Sequence, residues 1–169
     1  YLNTANDMTL AKQYFEKALV DFKQLNQTKN YYTVLNNLGI AYEIEGNNDQ
    51  ALLYYNQVYA YAKSENDELM LGNVSYDLAL NYRSMGNSKK AVDYFNQTFA
   101  YYAKLGYIEG LRNVSFELRK LYEAEKDYQN AYLQLQTFTT YSDSLKKSSN
   151  LEELVALKKD YQFGLEREQ

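Results

Sequence analysis

The sequence contains no proline, no cysteine, no histidine and no tryptophan. Without proline, long helices can run uninterrupted, because every residue keeps its backbone N–H. Without cysteine there is no disulfide framework, thiolate metal site or thiol nucleophile, and the redox compartment is left open. Without histidine, the commonest general base and transition-metal ligand are absent. We therefore expect a nearly all-helical chain that is not an enzyme and holds no metal or other cofactor.

Charge and hydrophobicity exclude two further classes of partner. The chain carries 18 basic and 22 acidic side chains, for a net charge of −4, and they are spread along its length. No cluster of Lys and Arg offers a track for phosphates, so nucleic-acid binding by this segment is not expected. No stretch approaches the ~18 uncharged apolar residues that a membrane span requires, so no membrane insertion is expected within it.

Tyrosine, by contrast, is in large excess, at 20 of 169 residues. Many of these tyrosines recur at helical spacing. This spacing favours a role in helix packing, with the phenol tips at the surface.

A pattern of residues recurs with a period of 40 positions. The run Asn73-Val74-Ser75-Tyr76 returns one period later as Asn113-Val114-Ser115-Phe116. Four alanines keep the same interval, and each is followed one helical turn later by a bulky residue. The alanines are Ala11, Ala51, Ala91 and Ala131, and the bulky residues are Phe15, Tyr55, Phe95 and Leu135. Self-similarity at a fixed period of this size is typical of repeat proteins.

Within each repeat, the order of large, small and aromatic residues resembles that of the tetratricopeptide family over residues 8–147. The best copy carries Leu35, Leu38, Gly39, Tyr42, Gly46, Ala51, Tyr55 and Val58. The second carries Leu78, Ala79, Tyr82, Gly86, Ala91 and Phe95. The third carries Leu118, Tyr122, Ala131 and Leu135, but departs from the pattern with Arg119 at the usual small position. A period of 40 exceeds the usual 34, so each helix should be nearly a turn longer.

The resemblance implies an all-α fold, a right-handed superhelical stack of antiparallel helical hairpins in the manner of a tetratricopeptide α-solenoid. Residues 1–147 should form a repeat array of one half repeat and three full repeats, and residues 148–169 a C-terminal helix. Gly46, Gly86 and Gly106 should end helices in the left-handed conformation. The expected helices are 8–25, then the pairs 30–45 with 48–64, 68–85 with 88–105, and 108–125 with 128–147.

The C-terminal segment carries an apolar stripe with residues three or four apart, typical of one face of a helix. The stripe consists of Leu151, Leu154, Leu157, Tyr161 and Leu165. Two interpretations stay open: a capping helix that covers the exposed face of the last repeat, or the start of a coiled coil that joins two copies or leads to an output domain.

A second resemblance lies in the same region. The run Tyr141-Ser142-Asp143-Ser144-Leu145, followed by Leu157-Lys158-Lys159-Asp160-Tyr161-Gln162-Phe163, is similar to the tail of tetratricopeptide regions in Bacteroidetes regulators. There, a coiled coil and a membrane helix follow, and then a histidine kinase or a helix-turn-helix module. This resemblance implies the extracytoplasmic, periplasmic sensor region of a signalling protein. Without it, a cytoplasmic location is expected.

The tetratricopeptide resemblance also implies a binding groove, lined by the first helix of each pair. The groove positions correspond to Thr33, Asn36, Asn37, Ile40 and Glu43, then Asn73, Tyr76, Asp77, Leu80 and Arg83, then Asn113, Phe116, Glu117 and Lys120. Asn amides can both donate to and accept from a peptide backbone, and Tyr76 and Phe116 can anchor an apolar side chain. Asp77 and Glu117 would repel a C-terminal carboxylate, so the carboxylate clamp of the chaperone-binding members is absent.

Three functions are compatible with these patterns, and all three have a protein or peptide as partner. The first is the sensor or oligomerisation region of a bacterial signal-transduction protein, which would form a homodimer through the C-terminal helix. The second is a free-standing adaptor that clasps a peptide in the groove. The third is a cytoplasmic receptor of the peptide-pheromone type.

Overall fold

The computed structural model describes the backbone of residues 2–167 and the side chains of residues 8–147. Seven helices and no strand occur in residues 2–167. They are α1 (Leu2–Gln24), α2 (Thr28–Ile44), α3 (Asn48–Ser64), α4 (Glu68–Ser84), α5 (Ser88–Leu105), α6 (Ile108–Ala124) and α7 (Tyr128–Arg167). The chain divides into two compact units, Tyr1–Leu105 with α1 to α5 and Gly106–Gln169 with α6 and α7.

Within each unit, consecutive helices pack against one another. In the first unit α1 packs on α2, α2 on α3, α3 on α4 and α4 on α5, and in the second unit α6 packs on α7. The connections are only a few residues long, so neighbouring helices run antiparallel. The predicted fold class, an all-α array of helical hairpins of the tetratricopeptide type, is confirmed.

The helices end where the sequence predicts left-handed residues. Gly46, Gly86 and Gly106 have φ angles of +79°, +75° and +66°. Three positions without glycine adopt the same conformation: Asn26, Asn66 and Lys126 have φ angles of +54°, +53° and +61°. Each left-handed residue closes one helix, and the residue after it precedes the next.

Side-chain caps begin four of the helices. Asn47 and Asp67 accept from backbone N–H groups in the first turns of α3 and α4, at 3.3 and 3.0 Å. Asn87 and Asp127 do the same for α5 and α7, at 3.1 and 3.2 Å. Each cap satisfies one N–H that the helix itself leaves unpaired.

The small and large residues of the repeat pattern pack as predicted in the first unit. A Cβ atom built on Gly39 of α2 would lie 2.7 Å from Cε1 of Tyr55 on α3, so only glycine fits at this contact. Ala79 on α4 and Phe95 on α5, the matching pair of the next hairpin, are both 0% exposed. Close approach at a small residue lets the ring fill the space beside it.

Tyrosine pairs link the two helices of each hairpin in the first unit. Tyr42 stacks on Tyr54 with ring centroids 5.5 Å apart, and Tyr82 stacks on Tyr94 at the same distance. These contacts confirm the predicted role of tyrosine in helix packing. Stacked aromatic pairs add stabilisation beyond the area that they bury.

Two helices differ from the expected layout. Helix α1 begins at Leu2 rather than at residue 8. Helix α7 runs without interruption from Tyr128 to Arg167 instead of ending at 147. The physical reason lies at Lys146 and Lys147. Each of the six turns between helices has a glycine or asparagine in the left-handed position, an Asn or Asp side-chain cap after it, or both, and these two lysines supply neither. The division of the chain at 147 stays a prediction, but no helix end marks it.

Candidate interaction surfaces

A cleft opens between α2 and α4 in the first unit, with α3 beneath it. Its cavity has a volume of about 280 Å³. Four predicted groove residues line it, Thr33, Asn36 and Asn37 from α2 and Asn73 from α4. The remaining lining residues are Lys29, Tyr32, Val58, Asp67, Leu69, Met70 and Val74. The cleft therefore combines an apolar floor with amide groups on both walls, as small binding sites commonly do.

A hydrogen bond crosses from one wall of the cleft to the other. Asn36 Nδ2 donates to Asp77 Oδ2 at 2.7 Å, which joins α2 to α4. The other amide atom of Asn36, Oδ1, is buried and has no hydrogen-bond partner among the described residues. A buried acceptor without a partner costs free energy.

Two carboxylates lie close to this hydrogen bond in partly buried positions. Burial raises the pKa of Asp77 to about 6, against the hydrogen bond from Asn36, and the nearby Glu43 charge raises it further. Burial also raises the pKa of Glu43, while the hydrogen bond from Tyr55 and the Arg83 charge lower it. The Tyr55 hydroxyl donates to Glu43 Oε2 at 2.7 Å. Asp77, Glu43 and Arg83 therefore form a charged group next to Asn36, outside the lining of the cleft.

One end of the cleft is closed by an ion pair. Lys29 Nζ of α2 lies 2.7 Å from Asp67 Oδ2, the cap of α4. The hydrogen bond from Lys29 and the backbone N–H of Met70 hold the pKa of Asp67 below its usual range. Because Lys29 is 70% exposed, the pair contributes little to stability. Its effect is to place one charge of each sign at the rim.

The other predicted residues of the first unit lie elsewhere. Ile40 lines a separate apolar cavity of about 220 Å³ between α1 and α2, together with Met8 and Phe15. The Tyr76 ring packs edge-on against Phe95, with centroids 5.6 Å apart, and is absent from the cleft lining. Leu80 is half-buried and also lies outside that lining.

The second unit carries an apolar trough between α6 and α7, with a volume of about 700 Å³. We use the name trough for the surface formed by Arg112, Asn113, Phe116, Phe138, Ser142, Leu145 and Lys146. Phe116 and Phe138 contact each other across it, with centroids 5.8 Å apart. Asn113 Oδ1 accepts from Arg112 Nη2 at 3.0 Å. The predicted residues Asn113 and Phe116 thus belong to one surface.

Charged side chains surround Phe116. Arg119 and Lys120 lie over its ring, 5.3 and 5.2 Å from the centroid. Lys120 also approaches Glu117 at 3.7 Å, and Arg119 pairs with Glu123 at 2.6 Å. The predicted residues Glu117 and Lys120 therefore form a charged border beside the trough. Arg119, which breaks the small-residue pattern, directs its charge to this border instead of to the helix contact.

Some lining residues escaped the sequence analysis. Lys29, Asp67, Leu69 and Met70 lie in the cleft, although none was predicted there. The signal available was weak: Asp67 is recognisable only as a helix cap, and its partner Lys29 lies 38 residues away. The predicted dimer or relay residues Leu151, Leu154, Leu157, Tyr161 and Leu165 lie outside the residues whose side chains are described.

No helix among the described residues is long and apolar enough to cross a membrane. In the same part of the chain, no three Asp or Glu side chains are grouped so that they could hold a metal ion.

The comparisons with known proteins agree with this architecture, that of a helical repeat protein. The chain is similar to the crystal structure of BtubC (BKLC) from P. vanneervenii, with a TM-score of 0.76 and 16% sequence identity. The likeness covers 84% of this chain and 58% of that one, so it spans little more than half of BtubC and shows the fold alone. No curated protein matches the sequence.

The sequence itself identifies the family for the central repeats. Residues 33–104 match the family model described as tetratricopeptide repeat, so this part of the chain is similar to that family. The tetratricopeptide repeat is a non-catalytic scaffold for protein interactions and typically binds proteins or peptides. The matched residues include most of the α2–α4 cleft.

Proposed function

We propose that this chain binds a segment of another protein in the α2–α4 cleft, as the sensor or oligomerisation region of a bacterial signal-transduction protein. The observation that carries the binding proposal is the cavity of about 280 Å³ with an apolar floor and amides on both walls. An amide side chain can donate to and accept from the backbone of an extended peptide. The exposed amide of Asn37 can contact the same peptide.

The cleft also indicates what kind of segment it accepts. Val58, Val74 and Met70 give it an apolar floor. Asp67 in the lining, and Asp77 hydrogen-bonded to Asn36, oppose a negatively charged ligand. We therefore expect a neutral or basic peptide with an apolar side chain directed at the floor. A free C-terminal carboxylate is not expected to bind there.

A selection of random peptides on the whole chain tests this proposal. Asn37 is the best position for a blocking variant, because it is exposed and lines the cleft. Peptides that bind the native chain should bind Asn37→Tyr at least 10-fold more weakly, since the ring fills the cleft. The matched control is Asn56→Tyr, at an exposed position of α3 outside the cleft. Peptides that bind both variants equally well would count against the cleft.

The signalling part of the proposal rests on the resemblance of the C-terminal segment to Bacteroidetes regulators. There, the repeat region would pass a change on to an output domain through the C-terminal helix. Light scattering after size-exclusion chromatography tests the dimer, on the full chain and on a chain that ends at Lys147. Dimers of the full chain only are expected. Monomers in both cases would remove the support for a relay and favour the free-standing adaptor.

A further inference from the structure

The trough of the second unit is an apolar surface without cover among the described residues. Phe116 is 37% exposed, and Leu145 and Phe138 are half-buried. The hydroxyl of Ser142, which also lines the trough, is buried and has no hydrogen-bond partner among the described residues.

The first unit shows what covers the equivalent surface of a complete repeat. There, α4 packs on the hairpin formed by α2 and α3. Val74 of α4 lies with Val58 of α3 in one core cluster, and both are 1% exposed. Asn36 of α2 donates to Asp77 of α4 at 2.7 Å. In the first unit, the first helix of the later repeat therefore completes the hairpin before it.

The same positions two periods later contain complementary residues. Phe138 occupies the position equivalent to Val58, and Leu154 the position equivalent to Val74. Phe116 and Leu157 are the equivalents of Asn36 and Asp77. The hydrogen-bonded polar pair of the first unit thus corresponds to two apolar residues, Phe116 and Leu157. Residues 148–165 thus have the sequence of a helix that fits the trough.

Charge follows the same correspondence. Tyr32 and Asn73 line the same cleft, and their equivalents two periods later are Arg112 and Glu153, which have opposite charges. Lys158 does not fit this correspondence, because the equivalent residue of α4, Leu78, is apolar and 0% exposed. A lysine can bury its stem and keep its ammonium group in water only near an edge. The contact is therefore expected to be weaker than the one between α4 and its hairpin.

This segment cannot reach the trough of its own chain while α7 remains one helix. At 1.5 Å per residue, Leu157 lies about 15 Å beyond Lys147 along the helix axis. A turn at 146–147 would be needed to fold the segment back. Lys146 and Lys147 supply neither a glycine or asparagine for the left-handed position nor an Asn or Asp cap, and each of the six turns between helices has at least one of the two, so the sequence does not favour such a turn.

We propose that residues 148–165 lie in the trough of a second copy of the chain, as the first helix of a fourth repeat supplied by the partner. Two copies exchange these segments reciprocally, which buries both troughs in one closed dimer. This inference deepens the dimer of the proposed function: it names the surface that receives the C-terminal helix. It is independent of the peptide in the α2–α4 cleft.

Complementation between two full-length variants tests the exchange. Phe138→Asp damages the trough and leaves the C-terminal segment intact, and Leu154→Asp does the reverse. Each variant alone should be monomeric by light scattering, at concentrations where the native chain is a dimer. An equimolar mixture should form a one-to-one heterodimer, because one trough and one segment remain intact. The matched control is Gln136→Asp, at an exposed position of α7 outside the trough, which should remain a dimer.

Cross-linking provides a second measurement that does not depend on a charged variant. Since the chain has no cysteine, a tagged copy with Leu157→Cys and an untagged copy with Phe116→Cys carry one thiol each. A short bismaleimide should join the tagged copy to the untagged one and give a band of twice the chain mass.

Three outcomes would overturn the exchange. Dimers of Phe138→Asp that persist, with no cross-link between the two cysteines, would mean that the C-terminal helices pair with each other in a coiled coil. If the native chain is a monomer, and one chain that carries both Phe116→Cys and Leu157→Cys cross-links within itself, the segment folds back onto its own trough. A monomer without any cross-link would remove the dimer from the proposed function as well. Peptide binding in the cleft of the first unit would be unaffected in all three cases.

Discussion

The two hairpins α2–α3 and α4–α5 differ from the third hairpin, α6–α7, in how their helices are held together. Tyr55 and Phe95, the bulky residues of the first two hairpins, are both 0% exposed. Leu135, at the same place in the third, is 42% exposed. The position that faces the bulky residue contains glycine or alanine in the first two hairpins, but it contains arginine (Arg119) in the third. A large residue is buried only where its neighbour makes room.

The tyrosine stacks show the same difference. Tyr42 pairs with Tyr54 and Tyr82 with Tyr94, but the position that would pair with Tyr122 is Gln134. Its Oε1 is buried and has no hydrogen-bond partner among the described residues. The third hairpin thus has the same backbone arrangement as the other two, but fewer of its side chains are packed between the two helices. Sequence repeats can preserve a fold and still differ in packing from one copy to the next.

The largest effect on stability is expected when the bulky residue of a hairpin is replaced by alanine. Phe95→Ala removes a fully buried ring and should lower the free energy of unfolding by about 3–5 kcal/mol. Leu135→Ala, at the equivalent position, should cost less than about 1 kcal/mol, because the leucine is 42% exposed. Urea denaturation followed by circular dichroism measures both. Equal losses would show that the third hairpin packs as tightly as the second.

The second-largest effect on stability is expected at Asp77, whose carboxylate accepts the hydrogen bond from Asn36. The pKa of Asp77 is raised to about 6 from 3.8, mainly by burial. Since the folded state holds this proton more tightly than the unfolded state, the contribution of Asp77 to stability is most favourable below about pH 4. It is lost as the pH rises to 6, and the whole penalty is present at pH 7. Glu43, Arg83, Tyr55 and Asn36 are the polar and charged groups around it.

Asp77→Asn should therefore stabilise the chain at pH 7 by about 1–3 kcal/mol and have almost no effect near pH 4. Its side chain can still accept the hydrogen bond from Asn36. Denaturation midpoints at the two pH values measure the difference, and the exposed Asp93→Asn serves as the control. A gain at pH 4 as large as at pH 7 would mean that the charge of Asp77 is not the cause.

The sequence predicted the fold well, because the repeat period determines which faces of the helices pack. It also predicted the glycine turns, since Gly46 and Gly86 recur at that period. It did not predict Asn26, Asn66 and Lys126, which adopt the same left-handed conformation. Asn26 and Asn66 lie 20 residues on either side of Gly46, and Lys126 lies 40 residues after Gly86, so regular spacing indicates all three positions although residue type does not. The sequence did not predict the continuous α7, because the apolar stripe after residue 147 follows a different pattern from the repeats and indicates a separate helix.

The candidate site was predictable only in part. Asn36, Asn37 and Asn73 were placed in the groove because the repeat fixes which positions of the first helices face it. That Tyr76 packs on Phe95 depends on a side-chain direction that helical spacing does not give. The ion pair that closes one end of the cleft joins two residues 38 residues apart in sequence, and no local pattern reports the distance between their helices.

A smaller effect is expected when the missing tyrosine stack is restored. Gln134→Tyr should place a ring against Tyr122 and remove a buried oxygen without a partner, and so raise the stability of the second unit by about 0.5–1.5 kcal/mol. Gln136→Tyr, at a nearby exposed position of α7, should change it by less than about 0.5 kcal/mol. Thermal denaturation compares the two. A loss of stability in Gln134→Tyr would show that α6 and α7 lack the space that the other hairpins provide.

The smallest effect concerns the turn of the third hairpin. Lys126 has a φ angle of +61°, a conformation that costs an L-residue about 1–2 kcal/mol, whereas Gly86 holds the same turn in the second hairpin without a Cβ atom.

Lys126→Gly should raise stability by about 0.5–1 kcal/mol, since part of the gain is offset by the greater freedom of glycine in the unfolded chain. Gly86→Lys should reverse the effect in the second hairpin. Because nothing lies within 4 Å of a Cβ atom built on Gly86, any loss there comes from the backbone alone. Denaturation of both variants, and of the double variant that exchanges the two residues, measures the effect. If the exchange leaves stability unchanged, the two turns are equivalent, and the difference between the hairpins lies in their side-chain packing.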